Sequence, residues 1–168
     1  MNEDTLAPGI AVRRPVEADH AALVSRIDEW WGGRKLHWYL PRLWFQHFAG
    51  TSWVAEDSEG RPVGFLVGFV SADHPENAYI HMVGTDPNHR RVGLGRALYE
   101  RVFDDMRARG IRRVSAVTWP GNRVSVAFHR ALGFVADEGE GTQNLYGTPA
   151  YPDYDAEGDD RVVFSREL

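Results

Sequence analysis

The sequence predicts an α+β fold, a mixed β-sheet with helices on its faces (an α/β sandwich). Three observations lead there. Short runs rich in apolar residues at 51–55, 63–71, 78–85, 113–119 and 161–165 read as strands, bounded by polar or glycine-containing segments. Between them lie stretches whose apolar residues recur at i, i+4, the spacing of a helix face. The elements fall in the order β-α-α-β-β-β-α-β-α-β-β, which combines hairpin neighbours with strand–helix–strand crossovers.

Taken in order, residues 1–8 are polar and acidic and read as a frayed leader, and 10–14 is a short strand. Pro15 opens a helix over 16–30, with Ala22, Leu23 and Ile27 on one face and Glu17, Asp19 and Arg26 around it. Trp31-Gly32-Gly33-Arg34 breaks that helix, and a second, aromatic-rich helix covers 41–48, ended by Gly50. The polar link 56–62 joins two strands as a hairpin connection. Phe65, Val67 and Phe69 alternate with Leu66, Gly68 and Val70, so both faces are apolar and the strand is central. In 78–85 the alternation sets Tyr79, His81 and Val83 on one face and Ile80 and Met82 on the other. The helix over 93–109 buries Leu94, Leu98, Val102 and Met106, widened by Tyr99 and Phe103, with Gly110 just past its end. A strand at 113–119, a helix at 122–132 and strands from 133 and 161 complete the sheet. The polar segment 137–160 reads as a lid or a disordered loop.

Length and composition narrow the function. The 168 residues fit one domain, 1–168, able to bury about 70% of its unfolded surface. With no cysteine, disulfides, thiolate metal sites and a cysteine nucleophile are excluded. A net charge of −5 argues against a nucleic-acid surface, and no apolar run approaches the length of a membrane span. The N-terminus does not resemble a signal peptide, so the expected location is cytoplasmic. No metal is expected: His81, His89 and His129 lack ligand spacing, and neither H-E-x-x-H nor G-x-S-x-G occurs.

Three constellations carry candidate chemistry. The first is the turn 86–96, where Gly93 and Gly95 stand among Arg90, Arg91 and Arg96 after a strand and before a long helix. Backbone N–H groups at such a helix start bind anions, phosphate above all. Without G-K-[ST] it is not a P-loop, and Leu98 replaces the third glycine of the dinucleotide fingerprint. An anion site and a plain turn with solvated arginines both stay open. The second is Asn122, Ser125 and His129, spaced i, i+3, i+7 on one helix face, with Asn122 as N-cap and Val124, Phe128, Ala131 and Leu132 opposite. A capped surface helix with incidental polar groups is the alternative. The third is His81, a satisfied core histidine or a base titrating near neutral pH. The aromatic segment 30–48 is either core packing or a pocket rim, and the aspartates of the 137–160 segment are a solvated loop or a lure for a cation.

Residues 83–97 and 122–134, in this order and separation, resemble the GNAT superfamily of acyl-CoA-dependent N-acyltransferases. The first matches its R/Q-x-x-G-x-G/A loop and the second its N-x-x-(A/S)-x-x-F-Y-x-x-x-G-F helix. The resemblance covers most of the chain. It implies a GNAT-like mixed central sheet and acetyl-CoA as co-substrate. It further implies that Arg90, Arg91, Val92, Gly93, Leu94, Gly95 and Arg96 hold the CoA pyrophosphate. Val83, Gly84 and Thr85 would pair with the pantetheine arm where two parallel strands splay, polarising the thioester carbonyl. Asn122, Ser125 and Phe128 would contact CoA. Many members carry, where this chain has His129, a tyrosine that protonates the leaving thiolate, so His129 is either that acid or only a neighbour of CoA. His81 stands where some members hold a general base. Asp28, Trp31, Arg34, Tyr79 and Trp119 are the residues expected to border the acceptor.

The reading is an N-acetyltransferase in which a primary amine of a small acceptor attacks acetyl-CoA directly in a ternary complex. A non-catalytic acyl-CoA-binding domain and, more weakly, a polyphosphate or nucleotide binder are its rivals. The acceptor and the oligomeric state, a homodimer included, are not specified by these residues.

Overall fold

The computed structural model describes residues 5–7, 9–89 and 92–168. Its elements are β1 (Thr5–Ala7), β2 (Ile10–Arg13), α1 (Asp19–Trp30), α2 (Leu43–His47), β3 (Trp53–Glu56), β4 (Pro62–Val70) and β5 (Asn77–Thr85). There follow α3 (Leu94–Ala108), β6 (Arg113–Thr118), α4 (Arg123–Ala131), β7 (Val135–Ala136), β8 (Gln143–Leu145), β9 (Thr148–Ala150) and β10 (Val162–Glu167). The main sheet runs β1-β2-β3-β4-β5-β6-β10-β7. Neighbours are antiparallel except β5 and β6, which are parallel. This is the expected mixed α+β sheet with one additional strand, β1, while β8 and β9 form a separate two-stranded sheet. Among the described residues, no helix is long and apolar enough to cross a membrane.

Two apolar layers flank the sheet. On one face α3 and α4 pack Leu98, Phe103, Met106 and Val126 against Leu66, Ile80 and Ala116. On the other, α1 and α2 pack Leu23, Ile27, Trp44 and Phe45 against Phe65 and Val67. The central strand β4 supplies both layers, which explains its two apolar faces. α3 buries the six residues its stripe predicts.

Several expectations are corrected. The frayed leader in part forms β1, whose backbone pairs with β2; residues 1–4 and 8 lie outside the described residues. The 137–160 segment is neither a disordered loop nor a bare lid. It holds the β8–β9 hairpin, with Tyr146 at φ +54°, followed by a turn in which Asp153 accepts from the Gly158 amide at 2.6 Å. Asp155 and Asp159 both pair with Arg161, at 2.8 and 2.6 Å, so part of the acidic charge is neutralised within the turn. Strands of three residues are too short to show a period, and the aspartates act as turn closers.

α1 begins at Asp19 rather than at 16. The Asp19 carboxylate accepts from the Val16 amide at 2.7 Å and from both arms of the Arg13 guanidinium at 2.8 Å. Burial opposes its ionisation, but these bonds outweigh burial and hold the carboxyl below its usual range. Asp19 is therefore buried, while Ala22 is exposed. The aromatic helix shrinks to α2, flanked by 3-10 turns at His37–Tyr39 and Ala49–Thr51.

In α4 the buried seam is Val126 and His129, with Leu132 just beyond, whereas Val124 and Ala131 face solvent. The phase is set by an imidazole packed in the core, which a purely apolar stripe passes over. In β5 the alternation is broken. Val67 pairs with Met82 but Gly68 pairs with Ile80, so His81 is the extra residue of a β-bulge. His81 and Met82 consequently both face the α1–α2 layer, and Val83 turns to the α3 side.

The bulge is tight. A Cβ at Gly68 would lie 2.6 Å from the Tyr79 carbonyl oxygen. Gly68→Ala should therefore cost about 1–3 kcal/mol, read as a lower Tm and denaturant midpoint. Gly50→Ala, which meets nothing within 4 Å, should leave both nearly unchanged.

Candidate active site

The turn after β5 is anchored from below. Asp86, 2% exposed, receives the Arg26 guanidinium of α1 at 2.5 Å and the Asn88 amide at 2.9 Å. Arg26 also donates to the Pro62 carbonyl at 3.1 Å, which ties α1 to β4 and to this turn. Gly93 caps α3 with φ +78°, a left-handed conformation that glycine adopts without penalty. Among the described residues, no side chain caps this N-terminus. The first amides of a fifteen-residue helix thus remain available to an anion. Arg96 reaches the Ala131 carbonyl of α4 at 3.0 Å, and Glu100 lies 3.9 Å from it. Arg90 and Arg91 lie outside the described residues.

Beside the turn the sheet opens. The parallel β5–β6 ladder ends at Ile80↔Ala116, whereas β5 runs on to Thr85. Across the opening stands α4, whose cap Asn122 accepts from the Ser125 amide at 3.2 Å. A groove of about 960 Å³ occupies this space. It brings together Val83, Gly84 and Thr85 of β5, Gly93, Leu94, Gly95 and Arg96 of the turn, and Asn122, Ser125, Phe128 and His129 of α4. Trp31 and Arg34 close one rim. Pro87, His89 and Val124, inside the two motif stretches, also line it, as do Glu29 and Trp30, which no motif marks.

His81 lies on the α1–α2 face of β5, outside the groove's lining. Its ring stacks on Trp44, centres 4.5 Å apart, and Nε2 donates to the Tyr39 carbonyl at 2.7 Å. Nδ1 is then the lone-pair nitrogen, without a hydrogen bond among the described residues. Burial lowers the pKa of the ring, against the opposing bond to Tyr39. Tyr79, two residues earlier, is pushed up to about 12 by burial, with Tyr154 and Asp155 adding to the shift. The turn after β9 therefore approaches the same face. His129 is 4% exposed, and burial lowers its pKa too.

The other expected residues fall elsewhere. Val92 is exposed beside the turn, and Trp119 is exposed against Tyr146, ring centres 5.5 Å apart. Asp28 has a structural partner set instead. Its Oδ1 accepts from the Leu36 and His37 amides at 2.8 and 3.1 Å, and its Oδ2 meets the His37 ring at 2.7 Å.

A pyrophosphate fits the uncapped start of α3, and an extended amide-bearing arm fits the edge of β5 that β6 leaves open beyond Ile80. The sequence pattern described as the acetyltransferase (GNAT) family matches residues 21–134. The chain belongs to the GNAT acetyltransferase family. That membership makes it an acyltransferase, with acetyl-CoA as the acyl donor. Two relatives are both described as L-2,4-diaminobutyric acid acetyltransferase. The one from Streptomyces coelicolor is 31% identical over 147 residues, covering 86% of this chain and 85% of the relative. The one from Nocardia farcinica is 30% identical over 121 residues, covering 72% of this chain and 62% of the relative's length. Among solved structures, the fold matches diaminobutyrate acetyltransferase from Paenibacillus lautus, in complex with L-2,4-diaminobutyric acid and coenzyme A. There the TM-score is 0.68 at 23% identity over 93% of each chain. It also matches a phosphinothricin acetyltransferase from Sinorhizobium meliloti in complex with acetyl-CoA, with TM-score 0.70 at 22% identity over 95% of this chain and 89% of that one.

The Asp28 contacts give a pH signature. Burial raises the carboxyl, but hydrogen bonds from His37 and the two amides outweigh it and hold the group below its usual range. A carboxyl depressed in the folded state stabilises above its unfolded value of about 3.9 and loses that contribution as pH falls through the folded value. Asp28→Ala should lower Tm at pH 7, and the gap to the unmodified protein should close below about pH 4.

Proposed function

We propose that this acetyltransferase acetylates a primary amine of a small diamino acid resembling L-2,4-diaminobutyrate, in a ternary complex with acetyl-CoA. The observation that carries the catalytic part is the bulged β5. It presents unpaired backbone to the groove and a lone-pair imidazole nitrogen to the opposite face. In this reading, the amides of 83–85 and of the first turn of α3 bind and orient the donor. An N–H of β5 takes the developing oxyanion, a contribution that grows as charge forms. Acetyl-CoA supplies an activated thioester with a stable leaving thiolate. An alkylamine is mostly protonated near pH 7 and attacks only when neutral. His81 Nδ1 takes that proton, through a water, and burial keeps the ring neutral for the task.

Two observations support the acceptor class. The diaminobutyrate enzymes are among the curated relatives, at 30–31% identity. Glu29 and Arg34 are exposed at the groove rim, and Glu29 has no ion pair among the described residues. Together they match the ammonium and carboxylate of an amino acid whose second amine reacts. A second reading, an arylalkylamine acceptor, draws on the exposed Trp38, Tyr39, Trp119 and Tyr146. It also draws on a 39% match over 83 residues to serotonin N-acetyltransferase 2 of rice, covering 49% of this chain and 39% of that relative. The net charge of −5 favours a free small molecule over a nucleic acid, in the cytoplasm.

Thiol release from acetyl-CoA over a panel of diamino acids, arylalkylamines and peptide amines tests this. Diaminobutyrate should give the largest kcat/KM. Faster release with an arylalkylamine selects the second reading, and CoA binding without release from any amine defeats the catalytic one. His81→Ala should cut kcat about 10²–10⁴-fold with CoA affinity kept, whereas Gly93→Glu should abolish CoA binding. The acid limb of the kcat/KM profile should have its midpoint below about pH 6.5, because the neutral ring is the active form and its pKa is lowered, and in His81→Ala it should move up to follow the fraction of neutral amine.

A further inference from the structure

The hydrogen-bond partners of His129 fix its protonation. The Ser125 carbonyl, 2.8 Å from Nδ1, can only accept, so Nδ1 carries the proton. Nε2 of the neutral ring is then a lone pair, and the Tyr99 hydroxyl donates to it at 2.9 Å. Tyr99 is 1% exposed, and its proton has no other acceptor among the described residues. The imidazole lies flat on Phe164, ring centres 5.0 Å apart at 6°, in a layer that would desolvate an imidazolium. Ser125 Oγ, 3.3 Å from the same Nδ1, shares its proton with the Ser125 carbonyl. With Nδ1 protonated, the hydroxyl proton of Ser125 has no acceptor among the described residues, and Ser125 lines the groove.

We propose that Tyr99, His129 and Ser125 form a one-way hydrogen-bond chain running out of the core into the groove. Its last donor, the Ser125 hydroxyl, meets the departing sulfur. The proposal rests on the acetyltransferase reading. Each group donates toward the groove, and donors in series polarise one another. Tyr99 and His129 are positioning residues; Ser125 is the group that touches the substrate. The chain lends hydrogen bonds and passes no proton. If His129 gave up its Nδ1 proton it would need the one on Tyr99, and burial pushes that hydroxyl's pKa upward. When the carbon–sulfur bond breaks, its electron pair goes to sulfur as a thiolate held by Ser125 O–H. The amine's proton leaves through His81, and the thiolate takes its proton from solvent on release.

CoA alone is a sufficient probe. The thiol of bound CoA should ionise more readily in the unmodified protein and in Ser125→Thr. At a pH below the free thiol's pKa the thiolate fraction should be about tenfold higher than in Ser125→Ala, read by ultraviolet thiolate absorbance or by alkylation rate. Equal ionisation in the unmodified protein and Ser125→Ala overturns the proposal. Nitrogen-15 spectra of the histidine rings should show His129 protonated at Nδ1 alone near pH 7. An Nε2–H tautomer or a doubly protonated ring overturns it as well. Tyr99→Phe should lower the thiolate fraction without touching the groove. With a working acceptor, Ser125→Ala should lower kcat and leave the KM for acetyl-CoA unchanged; a rise in KM alone would make Ser125 a binding contact and sink the idea. If instead no amine releases thiol, the acetyltransferase reading fails while the two CoA-based readouts still decide the chain.

Discussion

The whole site depends on where β5 stops pairing with β6. The parallel ladder ends at Ile80↔Ala116, and the next residue, His81, is the one the bulge inserts. A single extra residue therefore has three effects. It puts Met82 beside His81 in the α1–α2 layer, it sends Val83 to the α3 side, and it coincides with the point where β5 leaves β6. A bulge costs regular pairing and must be compensated. The compensation is visible on both sides: seven residues of β4, Gly64 to Val70, stay paired with β5 across the bulge, and apolar layers clamp the strand from each face. Backbone polar groups left without a ladder need another partner, and an extended amide-bearing donor is such a partner.

The two layers then divide the chemistry. The α3–α4 side carries the features suited to the donor: an uncapped helix start at Gly93 and the capped, polar start of α4 at Asn122. The α1–α2 side carries His81, stacked on Trp44 with its Nε2 on the Tyr39 carbonyl. Arg26 links them. From α1 it reaches across the edge of β4 to Asp86, which seats the turn preceding α3.

Much of this was legible in the residues. α3 repeats its apolar positions over fifteen residues, enough for a clean period, and every member of the stripe is buried. The glycine turn and the Asn122 helix are each weak alone, but their order and separation named the family, and the groove gathers their residues. What could not be read lies mostly in contacts from outside the element concerned. The α4 phase was misjudged because His129 counts as polar until Tyr99 and Phe164 are seen around it. The β5 faces inverted beyond His81 because a bulge is set by the neighbouring strand and by the lack of a side chain at Gly68. Asp19 looked like a surface charge because Arg13, at the end of β2, meets it from another element. β8 and β9, three residues each, leave no pattern at all.

The two histidines show why burial alone does not assign a role. Both rings are half to fully buried, and burial lowers both pKa values. Their hydrogen-bond partners select opposite tautomers. The Tyr39 carbonyl holds a proton on His81 Nε2, and the Ser125 carbonyl holds one on His129 Nδ1. What separates them is the fate of the remaining lone pair. On His81 it has no hydrogen-bond partner among the described residues. On His129 it is taken up by the Tyr99 hydroxyl, and the ring can only transmit polarity outward. Burial acting in the same direction thus leaves an open lone pair in one layer of the sheet and an occupied one in the other. The difference lies in one buried tyrosine of α3, which stands against α4 where the family's helix usually carries its own.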